Sequence, residues 1–290
     1  MAHQRGRFIA PSGGGGRKNG TKVHSLSQWS LDIASRHVEP PSKKRGDKTA
    51  VGDTLVSMMT DRRSFLRTIA ASGAATSLSY AKAASDSLGE VLPTRPLGKT
   101  GRQVTAFCLG GHHISKAENE KETQRLVERS IELGIRCFDN ARNYHGGLSE
   151  KQYGLYLTPR FREQIYLTTK SNRKTAKEVR SDLERSLKAM KTDYLDLWQI
   201  HAIESPEDVD ERIKNGVLDE FLKAREEGKA RHLGFTGHTS FRAHLHMIHE
   251  LKKRDIRFDT CLMPVNLVDP HYESFITNVL PVLVKEGYAV

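Results

Sequence analysis

The sequence is poor in cysteine and in long apolar runs, and each shortage excludes a class of protein. Only three cysteines occur in 290 residues, Cys108, Cys137 and Cys261, and no two of them form a C-x-x-C pair. This spacing excludes a disulfide-stapled scaffold and a cysteine-based zinc or iron–sulfur module, so the three are interpreted as buried free thiols. No stretch approaches the roughly 20 consecutive apolar residues of a membrane-spanning helix, which excludes a polytopic membrane protein.

Acidic residues are scarce in the first third of the chain, and the excess of positive charge is confined to that part. The net charge is +11, and residues 1–83 contain 14 of the 46 Lys and Arg but only 5 of the 35 Asp and Glu. Residues 84–290 are almost neutral, with 32 basic and 30 acidic side chains. A neutral body lacks the clustered positive charge of a nucleic-acid-binding domain, so no nucleic-acid partner is predicted.

Residues 1–57 have the composition of a disordered extension. They include four consecutive glycines at 13–16, two prolines at 40–41 and a basic run at 43–45, without a sustained apolar period. Such a segment cannot bury enough apolar surface to offset the entropy of ordering. Because Met58 and Met59 would make natural starts, we interpret the segment as an extension upstream of a misassigned start codon.

Residues 58–83 resemble a twin-arginine export signal. Arg62-Arg63 is followed by Ser-Phe-Leu-Arg, then by a weakly apolar run rich in Ala and Ser, and alanines stand three and one positions before Ala84. The alternative interpretation is that residues 58–83 form a basic, apolar helix that matches the signal pattern by chance. The resemblance predicts the twin-arginine export machinery as a partner and an exported, periplasmic or cell-envelope location. If the signal is not used, the protein stays in the cytoplasm; in either case the mature chain has no predicted membrane span.

After a predicted linker at 84–94, apolar strands alternate with amphipathic helices about every thirty residues. Helices are predicted to begin at Asn119 and Thr175, each followed three residues later by Glu. The predicted strands cover 104–111, 135–139, 164–170, 194–201, 231–236 and 258–263, and 288–290 begins a seventh. Strand–helix–strand units of this length form parallel sheets, which occur both in doubly wound folds and in (β/α)8 barrels.

Polar residues decide between these two folds. Asp139, Lys170 and His201 each stand at the C-terminal end of a different consecutive strand, and active sites of (β/α)8 barrels are assembled at that face. No G-x-G-x-x-G motif follows the first strand, which disfavours the dinucleotide-binding fold. The predicted class is therefore α/β, a (β/α)8 TIM-type barrel over residues 95–290, incomplete at its C-terminal end because strands seven and eight are largely missing.

Tyr144, five residues after Asp139, adds a phenol to the same face. A free phenol has a pKa of about 10, and an adjacent ammonium group favours the phenolate. A carboxylate fixes the ammonium group, and an imidazole can hydrogen-bond a carbonyl oxygen. A carbonyl that accepts a hydride on carbon and a proton on oxygen needs such a set, so a small carbonyl substrate is predicted.

Two groups of histidines lie in the predicted barrel. His112 and His113 follow the first strand at the same face and are candidate contacts for the substrate. Of His244, His246 and His249, only the last two share a helix face and no carboxylate is placed as a third ligand, so no metal site is predicted.

Several motifs in residues 95–290 together resemble those of the aldo/keto reductase superfamily. The stretches that carry the resemblance are Phe138-Asp139-Asn140-Ala141-Arg142-Asn143-Tyr144, Ser149-Glu150, Thr168-Thr169-Lys170, Gln199-Ile200-His201 and Gly234-Phe235-Thr236-Gly237-His238. The resemblance implies an NAD(P)H-dependent carbonyl reductase. It assigns Tyr144 as general acid, Lys170 and Asp139 as its tuning pair and His201 as the group that orients the carbonyl.

The resemblance also implies a cofactor site, which departs from the family pattern. Asp139, Thr236, Gly237 and Asn266 are the candidate cofactor-binding residues, although Thr236-Gly237 stands where the reductases commonly have Ser-Asn. NADP(H) is favoured over NAD(H), but the discriminating residues would lie after Val290. A non-catalytic nucleotide-binding or regulatory module on the same fold, and a non-functional truncated product, stay open as alternatives.

Overall fold

The computed structural model describes residues 84–290. The predicted disordered extension at 1–57 and the predicted export signal at 58–83 lie outside the described residues. Among the residues described, no helix combines the length and the apolar composition needed to cross a membrane.

Two short antiparallel hairpins open the described part of the chain: β1 (Ser85–Asp86) with β2 (Gly89–Glu90), and β3 (Thr94–Pro96) with β4 (Gln103–Thr105). The first lies within the segment predicted to be a linker, and Arg136 fixes it by donating two hydrogen bonds of 2.6 and 3.0 Å to the Asp86 carboxylate. The second divides the strand predicted at 104–111. Because Val104 pairs with Arg95, only the later part of that segment joins the main sheet.

Six parallel strands form the main sheet, and their spatial order is their order in the chain. They are β5 (Cys108–Gly110), β6 (Cys137–Asp139), β7 (Tyr166–Ser171), β8 (Leu195–Ile200), β9 (Ala230–Thr236) and β10 (Thr260–Leu262). The sheet curls into a half-barrel, which confirms the predicted α/β fold, an incomplete TIM-type barrel. Ala289 adds one parallel bridge to Thr260, at the position where the sequence places a seventh strand.

Helices follow the strands and begin where their capping residues predict. Asn119 and Thr175 each accept a hydrogen bond from the backbone N–H three residues later, which satisfies an otherwise unpaired donor. The helices are α1 (Gly111–Ile114), α2 (Glu120–Glu132), α3 (Leu148–Tyr156), α4 (Thr158–Phe161), α5 (Ala176–Ala189), α6 (Pro206–Lys214), α7 (Val217–Glu226), α8 (Phe241–Lys253), α9 (Phe275–Asn278) and α10 (Leu280–Glu286).

The main core lies between the sheet and these helices. Trp198 of β8 stacks on Phe221 of α7 with ring centroids 3.7 Å apart, and both side chains are fully buried. A smaller cluster on the concave face joins Cys137, Tyr166 and Leu197 to Leu97 and Val104. The second hairpin thus covers one part of the concave face, and the rest forms an open groove of about 720 Å³.

Candidate active site

The ends of three neighbouring strands bring the predicted polar residues together. Asp139 is the last residue of β6, Lys170 lies near the end of β7, and His201 follows β8 directly. In the ladder Asp139 pairs with Thr168, and the His201 N–H donates to the Ser171 carbonyl at 2.8 Å. The parallel register therefore places all three at one edge of the sheet. Tyr144 opens the turn at 144–147 that follows β6.

Lys170 and Asp139 form a closely bonded ion pair. The Lys170 ammonium is 2.5 Å from Asp139 Oδ2 and also donates to the Asn140 carbonyl at 2.7 Å. Thr168 Oγ1 donates to the other Asp139 oxygen at 2.7 Å. The Lys170 side chain is only 1% exposed, so these oxygens take the place of water around its ammonium group.

The Tyr144 ring lies between the lysine and two histidines. Lys170 Nζ is 5.2 Å from the centre of the ring, and the His201 ring is 5.8 Å from it in an edge-on arrangement. His112 approaches the ring at 5.1 Å, also edge-on. The phenol, the ammonium group and the imidazole of His201 are therefore close enough to act on one small molecule.

His201 is held in its neutral form. Burial first, and then the positive charge of Lys170, lower the pKa of His201 to about 4. Its Nδ1 atom is buried, and no described group lies within hydrogen-bonding distance of it. At neutral pH this side chain is an uncharged imidazole, which can hydrogen-bond a carbonyl oxygen without bringing a second positive charge to the site.

A buried network supports the turn that carries Tyr144. Arg142 forms an ion pair with Glu150, and Thr169 Oγ1 donates to the same carboxylate at 2.6 Å. Burial raises the pKa of Glu150, although these partners oppose the shift. The turn reverses at Gly147, whose φ of +94° suits glycine and where a Cβ atom would lie 1.7 Å from the Arg142 guanidinium.

Of the two histidines predicted to contact substrate, His112 lies closer to the candidate acid. His112 belongs to α1 and touches the Tyr144 ring, whereas the exposed His113 contacts the His112 ring at 5.0 Å. His145 completes the group, because its Nε2 lies 3.0 Å from the His112 carbonyl and its ring is 4.8 Å from the His112 ring. Both assignments as substrate contacts stay predictions.

Of the four predicted cofactor-binding residues, Asp139 ends β6, and the other three lie at the end of β9 or on the loop after β10. Thr236 Oγ1 accepts a hydrogen bond from the Ala202 N–H at 3.0 Å, which leaves its own hydroxyl proton free to donate. Gly237 packs against the Ile203 carbonyl, so a Cβ atom would lie 2.6 Å from that oxygen. Asn266 is exposed on the loop after β10; its Oδ1 accepts from two backbone N–H groups of that loop, and its Nδ2 stays available.

Some residues of the site did not stand out in the sequence. His145 had no role in the sequence analysis, and Asn140 and Arg142 belonged to the 138–144 motif without a role of their own; the folded turn gives each of them a partner. Ser149-Glu150 was noticed as a motif, and its contact with Arg142 now gives it a structural role. Over residues 84–290, no three His, Cys, Asp or Glu side chains are arranged to hold a metal ion.

Comparisons with known proteins identify the family. A model of the aldo/keto reductase family matches residues 106–289, a span that contains every predicted site residue. L-Galactose dehydrogenase of Arabidopsis thaliana is 31% identical over 156 residues, which cover 49% of this chain and 48% of that protein. L-Glyceraldehyde 3-phosphate reductase of Escherichia coli O157:H7 is 27% identical over 176 residues, covering 54% and 49%. The chain thus spans about half the length of the curated relatives it matches.

Solved structures show the same fold. The holo form of an aldo-keto reductase from Bacillus halodurans superposes with a TM-score of 0.57 at 25% identity, covering 68% of this chain and 64% of that one. An aldo-keto reductase from Pseudomonas, described as putative, superposes with a TM-score of 0.56 at 24% identity.

Proposed function

Because this chain belongs to the aldo/keto reductase family, an oxidoreductase family, we propose that it reduces a small aldehyde or ketone to an alcohol. One observation carries the proposal: the buried Lys170, paired with Asp139, lies beside the Tyr144 ring, with a neutral His201 next to the same ring. A proton donor, a fixed positive charge and an uncharged hydrogen-bonding group are what a carbonyl oxygen needs as it becomes a hydroxyl group.

Tyr144 is the proposed general acid. Its hydroxyl group would give a proton to the carbonyl oxygen, which leaves a phenolate. The Lys170 ammonium, 5.2 Å from the ring centre, favours that anion by charge. Asp139 and the Asn140 carbonyl hold the ammonium group in place by hydrogen bonds, so their role is to position Lys170 rather than to contact the substrate.

His201 is proposed to orient the substrate. A neutral imidazole carries one N–H group, which can hydrogen-bond the carbonyl oxygen while Tyr144 approaches it. The position of His112 against the Tyr144 ring supports a further contact with the substrate, with His113 farther out.

The described residues fit a nicotinamide cofactor, with NADP(H) proposed over NAD(H). Thr236 keeps a hydroxyl proton and Asn266 an amide group for hydrogen bonds to it, at the strand ends beside the site. Asp139 and Gly237 complete the proposed cofactor-binding set. When bound, a reduced nicotinamide would supply the hydride, and Tyr144 would supply the proton.

The substitution Tyr144→Phe tests the proposal. It removes the proposed acid and keeps the ring, so turnover of aldehydes with NADPH should fall by at least about 100-fold. Binding of NADPH, followed by its fluorescence, should stay within about threefold, because the phenol donates to the substrate. Tyr272→Phe is the matched control, since Tyr272 is 83% exposed and outside the site. Turnover that survives in Tyr144→Phe would refute the assignment.

A non-catalytic nucleotide-binding module is the second candidate. It is favoured by Gly237, which has no side-chain amide to hold a nicotinamide group. This candidate requires that the unsubstituted chain bind NADPH and turn over no aldehyde or ketone. The binding and turnover assays of the unsubstituted protein therefore distinguish the two functions.

A further inference from the structure

A groove on the outer surface lies between α3 and α5, and the charged side chains that line it are all basic. They are Arg142, Lys151, Arg185, Lys188 and Lys191, together with His145, and none of the described Asp or Glu side chains lines the groove. Its volume is about 640 Å³. Because residues 84–290 carry 32 basic and 30 acidic side chains, this set is a local concentration of positive charge in a nearly neutral body. We call it the basic groove.

The basic groove lies away from both edges of the six-stranded sheet. α3 follows β6 and α5 follows β7, and each of these strands has a neighbour on both sides. The two helices also contact each other directly, because Gly154 packs against the Ala189 carbonyl, where a Cβ atom would lie 1.9 Å away. Both walls of the groove therefore belong to the interior of the half-barrel and are present in the described part of the chain.

Three lysines of the basic groove have no described partner of opposite charge. Lys151 lies on α3, Lys188 on α5 and Lys191 shortly after α5, and all three are exposed. Among the described carboxylates, none lies within 4.0 Å of these ammonium groups, whereas Lys174 and Lys229 each contact two carboxylates. Positive charge on both walls favours a partner that brings several negative charges at once.

The basic groove also contains an apolar stripe. Leu148 and Leu155 of α3, seven residues apart, share one face of the helix and are 42% and 38% exposed. At 1.5 Å per residue they span about 10 Å along the helix, and Ala189 of α5 lines the groove opposite them. A stripe of this length matches about two turns of a second helix laid in the groove.

We propose that the basic groove binds an amphipathic helix of a partner protein, in which acidic side chains flank an apolar stripe. The apolar side chains of that helix would cover Leu148 and Leu155, and its carboxylates would reach the lysines on the two walls. The complementary charges would speed association and fix the orientation of the bound helix. The proposal does not depend on the function proposed above, although the groove extends to His145, next to Tyr144.

Three other occupants fit the basic groove less well. Residues 1–83 of the same chain contain 14 basic and 5 acidic side chains, a net charge of +9, so the positive walls would repel them. A membrane surface is flat on this scale and would not enter a groove between two helices. No Phe, Tyr or Trp among the described residues lines the groove, so it lacks the stacking surfaces with which proteins bind single-stranded nucleic acids.

The experiment uses a fluorescein-labelled peptide of about 18 residues, with leucine at every third or fourth position, glutamate beside the leucines and alanine elsewhere. Its fluorescence anisotropy, titrated with the full chain, should show saturable binding with a dissociation constant below about 100 µM at about 50 mM salt. Binding should weaken at least about threefold at about 200 mM salt, because exposed charges are screened. A scrambled peptide of the same composition, and a peptide with lysine in place of glutamate, should bind at least about tenfold more weakly.

Two lysines offer a matched pair of variants. Lys188 and Lys223 are both exposed and lie in the last turns of α5 and α7. Lys188→Glu should weaken peptide binding by at least about fivefold, because it reverses a charge on one wall, and Lys223→Glu should change it by less than about twofold. Leu155→Ser should weaken binding by at least about threefold, since it removes part of the apolar stripe.

Three results would overturn the proposal. In the first, the designed peptide binds no better than the scrambled one, and in the second, Lys188→Glu and Lys223→Glu bind it equally well. In the third, the designed peptide does not bind, and Lys188→Glu instead abolishes binding to another occupant. The occupants to test are vesicles with about 30% phosphatidylserine, a DNA duplex of about 20 base pairs, and a second copy of the chain, detected as a doubled mass in light scattering.

Discussion

At the scale of single residues, His201 links the candidate site to the pH dependence of stability. Its pKa is about 4 in the folded chain, against about 6.5 in an unfolded one, so the unfolded chain binds the proton more readily. The folded state should therefore lose stability as the pH falls from about 6.5 to about 4, by up to about 3 kcal/mol from this residue.

The substitution His201→Gln isolates that contribution, because glutamine does not titrate while the other groups titrate in both proteins. Urea unfolding of both at about pH 7 and about pH 4.5 should show the stability advantage of the unsubstituted protein shrinking at the lower pH. An identical pH dependence in the two proteins would contradict the lowered pKa.

Asp139 and Lys170 are expected to show strong coupling. Asp139→Asn leaves the Lys170 ammonium buried without its carboxylate, which should cost about 3 kcal/mol of unfolding free energy. Adding Lys170→Met removes the unpaired buried charge, so the double variant should be more stable than Asp139→Asn alone. Urea unfolding of the four proteins measures this cycle, and additive effects would argue against the pair.

At the scale of elements, substitutions at two adjacent glycines of the turn that carries Tyr144 can distinguish the effect of backbone strain from the effect of a steric contact. Gly146 and Gly147 both have positive φ, and only at Gly147 would a Cβ atom meet the Arg142 guanidinium. Gly146→Ala should cost about 1 kcal/mol and keep most of the turnover. Gly147→Ala should add about 1–3 kcal/mol and lower turnover, because it displaces the partner of buried Glu150. Equal effects in urea unfolding and turnover assays would show that this contact is unimportant.

Local signals in the sequence predicted the elements well, and long-range pairing limited the rest. The starts of α2 and α5 follow from Asn119 and Thr175, because each capping side chain and the backbone N–H that donates to it lie within one turn. The strand predicted at 104–111 was wrong in extent, because Val104 pairs with Arg95 in a separate hairpin that no local pattern reveals.

The same contrast applies to the site. Asp139, Lys170 and His201 could be grouped from the sequence because the ends of parallel strands meet at one edge. The pairing of Cys108 with Cys137 depends on the register between two strands, which a spacing of 29 residues does not specify. The initial interpretation of all three cysteines as buried thiols was wrong for Cys108, which lies exposed on the edge strand.

At the scale of the whole molecule, we propose that residues 58–83 direct export and are then removed. The proposal rests on the Arg62-Arg63 motif and on the small residues before Ala84. The intact mass and terminal peptides of the protein from its own host cells should give a chain that begins at Ala84. A peptide from within residues 1–57 in the mature protein would contradict both the cleavage and the interpretation of that segment.

The order of the six strands has a consequence for how the molecule forms during synthesis. Each strand pairs with the strand made about thirty residues earlier, so every docking edge exists before the next strand leaves the ribosome. The half-barrel can therefore grow in one direction, one strand and helix at a time, without waiting for distant segments. The Lys170–Asp139 ion pair would form as soon as β7 pairs with β6. This part of the candidate site would therefore be in place before β8, β9 and β10 are added to the sheet.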